Sequence, residues 1–469
     1  MSEIKAYIKA ILEKHKLSIS SNKTLLLDEF VNDETNINLF NQIKETQQLL
    51  MDKWLLKNRI DDIKSQVISI PNGTVGKAYS AKIEIEKWQW RDIAYLEFEG
   101  LENLNLQYSD KTEWITGIPS QSGELKIKMK FRIKGEADDS FLNEKIVSLV
   151  INPDPKSLWK NIESDKNALF WKEDNINELI PLGDRHLVVA SKRGRSHANV
   201  GSFRDDDYAF KHFEENDWSI VTVADGAGSA KYSRQGSKLA CQKTIEFFET
   251  QFSKDLVSEI NAFFESENTR GVTEVPQDLK RKIIQELYKI TLYVHNEIVS
   301  FAKATENNLK DFHTTLIFSL FRKIPEGYII LSFGVGDCPI ALLNREISEV
   351  SLLNWLDVGE YGGGTRFITM PEIFSSEKMS SRFNVKIIKD FSFLMLMTDG
   401  IYDPKFVVEA NLEKIDKWKE FLLDLDGKND ENLKVDFQAD NNKIAETLNR
   451  WLDFWSPGNH DDRTLAIIF

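Results

Sequence analysis

The stretch from Trp218 to Ser229, WSIVTVADGAGS, decides how the rest of the chain is read. Its first half is an apolar, β-branched run, the composition of a strand buried on both faces. The run stops at Asp225-Gly226 and small residues follow, so a carboxylate and bare backbone stand at the strand's end. Alone, an Asp-Gly pair is a turn signal. Its meaning comes from the other acids at strand ends. IILSFGVG runs into Asp337, and FLMLMT runs into Asp399-Gly400 with Asp403 just beyond. The final strand, TLAIIF, is entered from Asp461-Asp462, and Asp205-Asp206-Asp207 precede the run that begins at Tyr208.

One strand-terminal aspartate is ordinarily a cap or turn residue. Four such strand ends need another account, because a carboxylate at the margin of a core is costly unless paired or metal-bound. Basic residues are scarce beside them, Arg463 being the immediate neighbour. Oxygen ligands without Cys or His select hard cations such as Mg2+ or Mn2+. Two such ions about 3.5–4 Å apart can share a bridging carboxylate and activate water for in-line attack on phosphorus. The residues alone therefore point to metal-assisted hydrolysis.

The surroundings fit a layered domain. From Asp184 onward, near-continuous apolar runs (HLVVA, SIVTVA, TTLIFSLF, YIILSFGV, PIALL, FLMLM, TLAIIF) read as buried strands. Helical stretches at 233–252 and 277–303 sit between them, which implies sheets with helices packed outside. The acidic run at 424–440 reads as a solvated loop. Upstream, residues 67–153 switch to period two, as in SAKIEIEKWQW and ELKIKMKFRI, the alternation of a small β-sandwich. The phrases ISIPNGTVGKAYSAKI, GLENLNL and WITGIPSQSGELKIKMKFRI resemble immunoglobulin-like domains of bacterial multidomain proteins, which implies a spacer or binding module. Residues 1–66 carry helical spacing at Ile4, Tyr7, Ile8, Ile11 and Leu12. A second helix is expected over 37–66, with Leu49, Leu50, Trp54 and Leu55 on one packing face. Residues 154–183 read as a linker.

Bulk properties narrow the class. A chain of 469 residues implies two to four domains, and 41% apolar with 29% charged residues is globular composition. A net charge of −14 weighs against nucleic acid and anionic membranes as partners. No window approaches the ~18 apolar residues of a membrane span, and MSEIKAYIKAILEKHK is not a secretory signal. Two cysteines, Cys241 and Cys338, build no disulfide framework and point to a reducing, cytoplasmic setting.

Residues 184–469 resemble the metal-dependent protein serine/threonine phosphatases of the 2C type, in particular their bacterial branch. Asp225-Gly226-Ala227-Gly228 matches the family's Asp-Gly-x-Gly, and Gly336-Asp337-Cys338 its Gly-Asp-Ser. Thr398-Asp399-Gly400-Ile401-Tyr402-Asp403 matches Ser-Asp-Gly-x-x-Asp, and Asp461-Asp462-Arg463-Thr464 matches Asp-Asn-x-Thr. Gly359-Glu360-Tyr361 through Thr365 resembles a further segment of that branch. The resemblance implies a multidomain architecture: a C-terminal α+β (α-β-β-α) sandwich over 184–469, an all-β immunoglobulin-like sandwich before it, and a helical N-terminal segment. It implies two Mn2+ or Mg2+ ions, with a third optional. Asp225 would bridge two ions, the Gly226 carbonyl would bind the second, and Asp399 and Asp461 would hold the first. Asp207 and Asp206 would act through water, and Asp337 and Asp403 would form the third site. The substrate would be a phosphoprotein, opposite a serine/threonine kinase.

Three departures from the family stand out. The phosphate-binding arginine has no clean match, leaving Arg195 first and Arg204 second; a guanidinium fork suits a phosphate dianion. Ala227 stands where many members place a histidine able to protonate the leaving alkoxide, so that proton comes from water, His197 or His313. Asp462 replaces an asparagine and adds charge that Arg463 is the nearest residue to neutralise. Cys338 reads as buried and inert. The second functional reading is a catalytically weak or inactive relative that binds or regulates a signalling partner.

Overall fold

The computed structural model describes residues 3–266, 271–357, 364–375 and 377–469. The chain divides into two compact units, Met1–Leu158 and Trp159–Phe469.

The first unit opens with helices α1 (Glu3–Lys14), α2 (Thr24–Asn32) and α3 (Glu34–Ser65). Asp33 caps α3 by accepting from the backbone N–H groups of Thr35 and Asn36, two of the donors every helix start leaves unpaired. Seven strands follow: β1 (Gly73–Thr74), β2 (Tyr79–Lys82), β3 (Ile93–Glu99), β4 (Leu106–Ser109), β5 (Trp114–Gly117), β6 (Gly123–Ile133) and β7 (Asn143–Asn152). They form a four-stranded sheet ordered β1-β7-β6-β3 and a three-stranded sheet ordered β2-β5-β4. The alternation in the sequence is the cause: β6 buries Ile127, Met129, Phe131 and Ile133 and turns the lysines between them outward. Trp90, Ile115 and Leu149 complete this core, and Ile63 from the end of α3 enters it.

The second unit contains β8 (Asn175–Leu182), β9 (Arg185–Lys192), α4 (Arg195–Val200), β10 (Asp207–Phe213), β11 (Trp218–Ala224), α5 (Ser233–Thr250), α6 (Lys254–Glu265) and α7 (Gln277–Ala304). There follow β12 (Leu316–Ile324), β13 (Gly327–Val335), β14 (Ile340–Asn344), β15 (Val350–Leu352), β16 (Phe383–Ile388) and β17 (Phe391–Met397). The unit ends with α8 (Asp399–Phe406), α9 (Ile415–Leu425), α10 (Ile444–Trp451) and β18 (Arg463–Ile468). One sheet runs β10-β11-β12-β13-β16 and the other β15-β14-β17-β18-β9-β8. Val221, Val223 and Ile317 of the first pack against Leu187, Val189, Leu396 and Ala466 of the second. Helices α5, α6 and α7 cover the outer face of the first sheet, and α8, α9 and α10 that of the second. Strands sandwiched in this way are apolar on both faces, and all seven residues of β11 are buried. The segment read as a linker contributes β8, which pairs with β9 along its whole length. Among the described residues no helix is long and apolar enough to cross a membrane.

Strand register sets up the site. Asp207 pairs with Ala224, Leu465 with Met397, and Thr464 with Ser191. The start of β10, the end of β11, the end of β17 and the start of β18 therefore open on one edge, with their acids together.

Candidate active site

Asp225 leaves β11 with its backbone N–H held by the Thr315 hydroxyl at 2.9 Å and its carbonyl accepting from Thr315 N at 2.8 Å. Its carboxylate is buried. Burial, then the charges of Asp399, Asp206, Asp461 and Asp337, hold it well above the usual carboxylate range. The next residue has to be glycine, because a Cβ at Gly226 would stand 2.6 Å from the Asp205 carbonyl oxygen. Asp399 opens the first turn of α8. Burial, then Asp337 and Asp461, push it up, and its Oδ1 is buried with no hydrogen-bond partner among the described residues. Gly400 lets the Asp461-Asp462 backbone close in, since a Cβ there would lie 2.0 Å from the Asp462 carbonyl oxygen.

Asp461 is raised by burial and by Asp462. Asp337 and Asp403 are both raised, burial being the first cause in each. The Thr365 hydroxyl donates to Asp337 Oδ2 at 2.7 Å, and the Asn459 amide to Asp403 Oδ2 at 3.2 Å. Thr365 is the described end of the Gly359-Glu360-Tyr361 motif; residues 359–363 lie outside the described residues. Asp225, Asp337 and Cys338 bring potential ligand atoms within 4.8 Å of one another. The Cys338 thiol is pushed well up, by burial and then by Asp225 and Asp337, and is inert as a nucleophile.

The three consecutive aspartates divide. Asp206 accepts from the Thr398 and Thr464 hydroxyls at 2.9 and 2.8 Å, and burial and Asp462 push it up to about 8. Asp205 faces the same cluster and is pushed up to about 6, by burial and then by Asp462. Asp207 does not join them. Its Oδ2 lies 3.0 Å from the Lys172 ammonium and its Oδ1 3.8 Å from Arg204. Burial would raise it, but Lys172 and Arg204 outweigh burial and hold it below the ordinary range. Lys172 also donates to the Asp206 carbonyl at 2.6 Å. This lysine comes from the segment read as a linker, and no local motif marks it.

Asp462 is fully buried yet held below the usual range. Burial opposes this, but His197 outweighs it, with help from the N–H groups of Gly194 and Asp205. His197 Nδ1 is 3.0 Å from Asp462 Oδ1, and its Nε2 lies 4.0 Å from both Asp205 and Asp461. Burial disfavours the imidazolium, but Asp462, Asp205 and Asp461 together push it up to about 10. The counter-charge of Asp462 is thus His197. Arg463, expected in that role, donates instead to the carbonyls of Gly400, Leu452 and Phe454.

The arginines also separate. Arg204 is 2% exposed and donates to the Glu173 and Asp206 carbonyls and the Ser191 hydroxyl. Arg193 is spent on the Ser202 and Ile162 carbonyls. Arg195 stays partly exposed, paired with Asp453 at 3.0 Å, beside Gly194, which abuts the Asp461 backbone. Of the two histidines named against Ala227, His313 sits next to it. Its carbonyl accepts from Ala227 N at 3.0 Å, and its Nδ1 lies 2.6 Å from the Thr369 hydroxyl. Burial lowers its proton affinity.

A family model described as protein phosphatase 2C matches residues 193–451, ending just short of Asp461. No curated protein matches. Among solved structures, the serine/threonine phosphatase Stp1 from Staphylococcus aureus is 14% identical, covering 62% of this chain and 96% of its own, with a TM-score of 0.33. The Mycobacterium tuberculosis phosphatase PstP/Ppp is 14% identical over 60% of this chain and 97% of its own, with a TM-score of 0.32. The PstP catalytic domain in complex with two manganese ions is 14% identical over 60% and 96%, with a TM-score of 0.34. The chain belongs to the protein phosphatase 2C family, the metal-dependent protein serine/threonine phosphatases.

Proposed function

We propose that the chain hydrolyses phosphoserine and phosphothreonine in proteins at the carboxylate cluster, using Mn2+ or Mg2+. The observation that carries this reading is the imbalance of charge. Asp225 and Asp399 sit desolvated among other acids, and Asp399 Oδ1 is buried with no hydrogen-bond partner among the described residues. Buried carboxylates without a counter-ion cost several kcal/mol each, and an all-oxygen set suits a hard divalent cation. The residues present therefore fit the metals the family uses. Their chemistry would be Lewis-acid charge on the phosphoryl oxygens and water acidic enough to attack at neutral pH.

Asp225, facing Asp399, Asp206, Asp461 and Asp337, would bridge two ions, with the Gly226 carbonyl on the second and Asp399 and Asp461 on the first. Asp337 and Asp403 would hold a third. Asp206, fixed by two threonine hydroxyls, and Asp205 would orient water. Asp207 belongs to the supporting shell, because Lys172 already satisfies it. Arg195 is the guanidinium best placed for phosphate, whereas Arg204 holds the Asp206 backbone. Ala227 supplies no proton to the leaving group, so activity depends strongly on leaving-group acidity.

By this reading residues 1–66 are helical, 67–153 form an immunoglobulin-like spacer or binding module and 184–469 form the catalytic domain, to which the 154–183 segment, expected as a linker, adds β8 and Lys172. The setting is cytoplasmic and the chemistry opposes a serine/threonine kinase. The alternative of a weak or inactive binding module draws on Ala227, and the presence of Asp225, Asp399 and Asp461 weighs against it. Hydrolysis of p-nitrophenyl phosphate with Mn2+ is the test. Manganese-dependent turnover, lost in Asp225→Ala and Asp399→Ala, is expected. No turnover at any pH contradicts the enzyme, and turnover unchanged in both variants contradicts the site.

A further inference from the structure

Helix α3 carries a stripe of large apolar side chains that no described residue of the first unit covers, although the sequence reads this helix as a packing element. Leu39, Ile43, Leu50 and Trp54 are 53%, 46%, 70% and 66% exposed. At 3.6 residues per turn they fall within about 60° of one another on the helix surface. Met51 and Leu55, 50% and 62% exposed, widen the patch on one side. Other faces of the helix are occupied near its two ends. Phe40 meets the Tyr7 ring of α1 edge-on, and the Tyr7 hydroxyl bonds Gln47. Ile63 lies in the sandwich core with Leu56 and Ile60 at its margin. Between these anchors, residues 41–55 are all exposed. A helix draws most of its stability from packing an apolar face, and a contiguous exposed apolar patch marks an interaction surface.

We propose that a second copy of this chain covers the stripe, α3 against α3 in antiparallel orientation. Spacing is the first argument. The steps from Leu39 to Ile43 to Leu50 to Trp54 are four, seven and four residues, a pattern that reads the same in both directions. A two-fold axis between Thr46 and Gln47 therefore sets Leu39 against the partner's Trp54 and Ile43 against the partner's Leu50, the reciprocal contacts of an isologous interface. Charge is the second argument. Lys57 lies on the stripe face three residues beyond Trp54, and the two-fold sets it against the partner's Asn36. Antiparallel pairing thus faces Lys57 with a neutral residue, whereas parallel pairing stacks Lys57 on its own copy. Area is the third. Six exposed side chains at about 100 Å² each offer roughly 600 Å² per copy, near the ~800 Å² per partner of a standard specific interface.

Sedimentation equilibrium of the full chain tests this, with the chain mass of 54.1 kDa as the monomer reference. A dimer is expected, weakened at least about 100-fold by Leu50→Glu or Ile43→Glu because each buries an unpaired carboxylate. Circular dichroism and turnover of p-nitrophenyl phosphate should both be unchanged, which shows that the helical first unit and the catalytic unit remain folded in the variants. Orientation is read by oxidising single-cysteine variants, and Cys241 and Cys338 are buried and do not compete. Thr46→Cys, beside the axis, should cross-link to its own copy, and Lys57→Cys should not. A monomer at tens of micromolar overturns the proposal, as does a dimer indifferent to both glutamates. Cross-linking through position 57 rather than 46 overturns the antiparallel arrangement.

Discussion

The aspartates on either side of the site differ in whether the protein neutralises them. On one side, Asp207 has Lys172 and Arg204, and Asp462 has His197 and two backbone N–H groups; both stay below the ordinary carboxylate range. On the other side, Asp225, Asp399, Asp461 and Asp206 face one another and are raised. Burial pushes upward in both sets, even on the half-exposed Asp461, so it does not decide which carboxylates end up raised. The difference is the fixed cation. A buried carboxylate that carries its own partner supports the fold, and one left among like charges is available to an ion from solution.

Breaking this contrast at its unpaired side should have the largest effect. Asp399→Asn keeps the shape but removes the charge, and kcat should fall at least about 10³-fold, more than a single oxyanion-hole donor is ordinarily worth. In chelator the same variant should be as stable as the parent or more so, by roughly 1–2 kcal/mol, because like-charge repulsion is relieved. Paired kinetics and thermal melts check both halves. A variant that loses stability together with activity would mean Asp399 is a structural residue.

The paired side should respond in the opposite sense. Lys172→Met leaves buried Asp207 with Arg204 alone, 3.8 Å away, which costs up to about 3 kcal/mol, the low end for a broken buried pair; urea unfolding with and without Mn2+ measures it. A loss below about 1 kcal/mol would place the Asp207 neutralisation elsewhere.

pH sharpens the contrast further. A carboxyl raised in the folded state binds more protons than in the unfolded chain, so its contribution to stability falls as pH climbs from about 4 through its folded value. With Asp205 near 6 and Asp206 near 8, the metal-free protein should lose stability between about pH 4 and pH 8. Mn2+ at a fixed concentration, 100 times its Kd at pH 6, should restore about 2.7 kcal/mol there and more at pH 8, where protons no longer compete for the ligands and the Kd is lower. Scanning calorimetry across pH decides this, and a metal effect independent of pH would contradict it.

The smallest effect expected is at the leaving group. Ala227→His should raise turnover of phosphoserine peptides relative to aryl phosphates several-fold, a fraction of the ~10² that general acid catalysis can supply. An unchanged ratio would show that another group already provides the proton.

The same division marks what the sequence could convey. The acids at the ends of β11, β13, β17 and β18 are legible because each interrupts an apolar run, and buried strands can end in only a few ways. The choice among Asp205, Asp206 and Asp207 is not, since neighbours in extended chain point to opposite faces and a one-residue change of register exchanges them. Lys172 is invisible for a different reason. It reaches Asp207 from 35 residues away in sequence, out of a segment whose composition reads as a connection. The pairing of His197 with Asp462 spans 265 residues and likewise has no local signature, which is why the adjacent Arg463 is the natural but mistaken partner on sequence grounds. On α3 the helix is legible, yet the exposure of its apolar stripe depends on where α1 and the sandwich end.

Calorimetric titration of Mn2+ into the metal-free full chain, with Asp225→Asn beside Asp207→Asn, tests the division most directly. The account predicts that Asp225→Asn weakens Mn2+ binding more than tenfold, while a folded Asp207→Asn, judged by circular dichroism, binds as the parent does. Parent-like binding in Asp225→Asn, or a tenfold loss confined to Asp207→Asn, would contradict it.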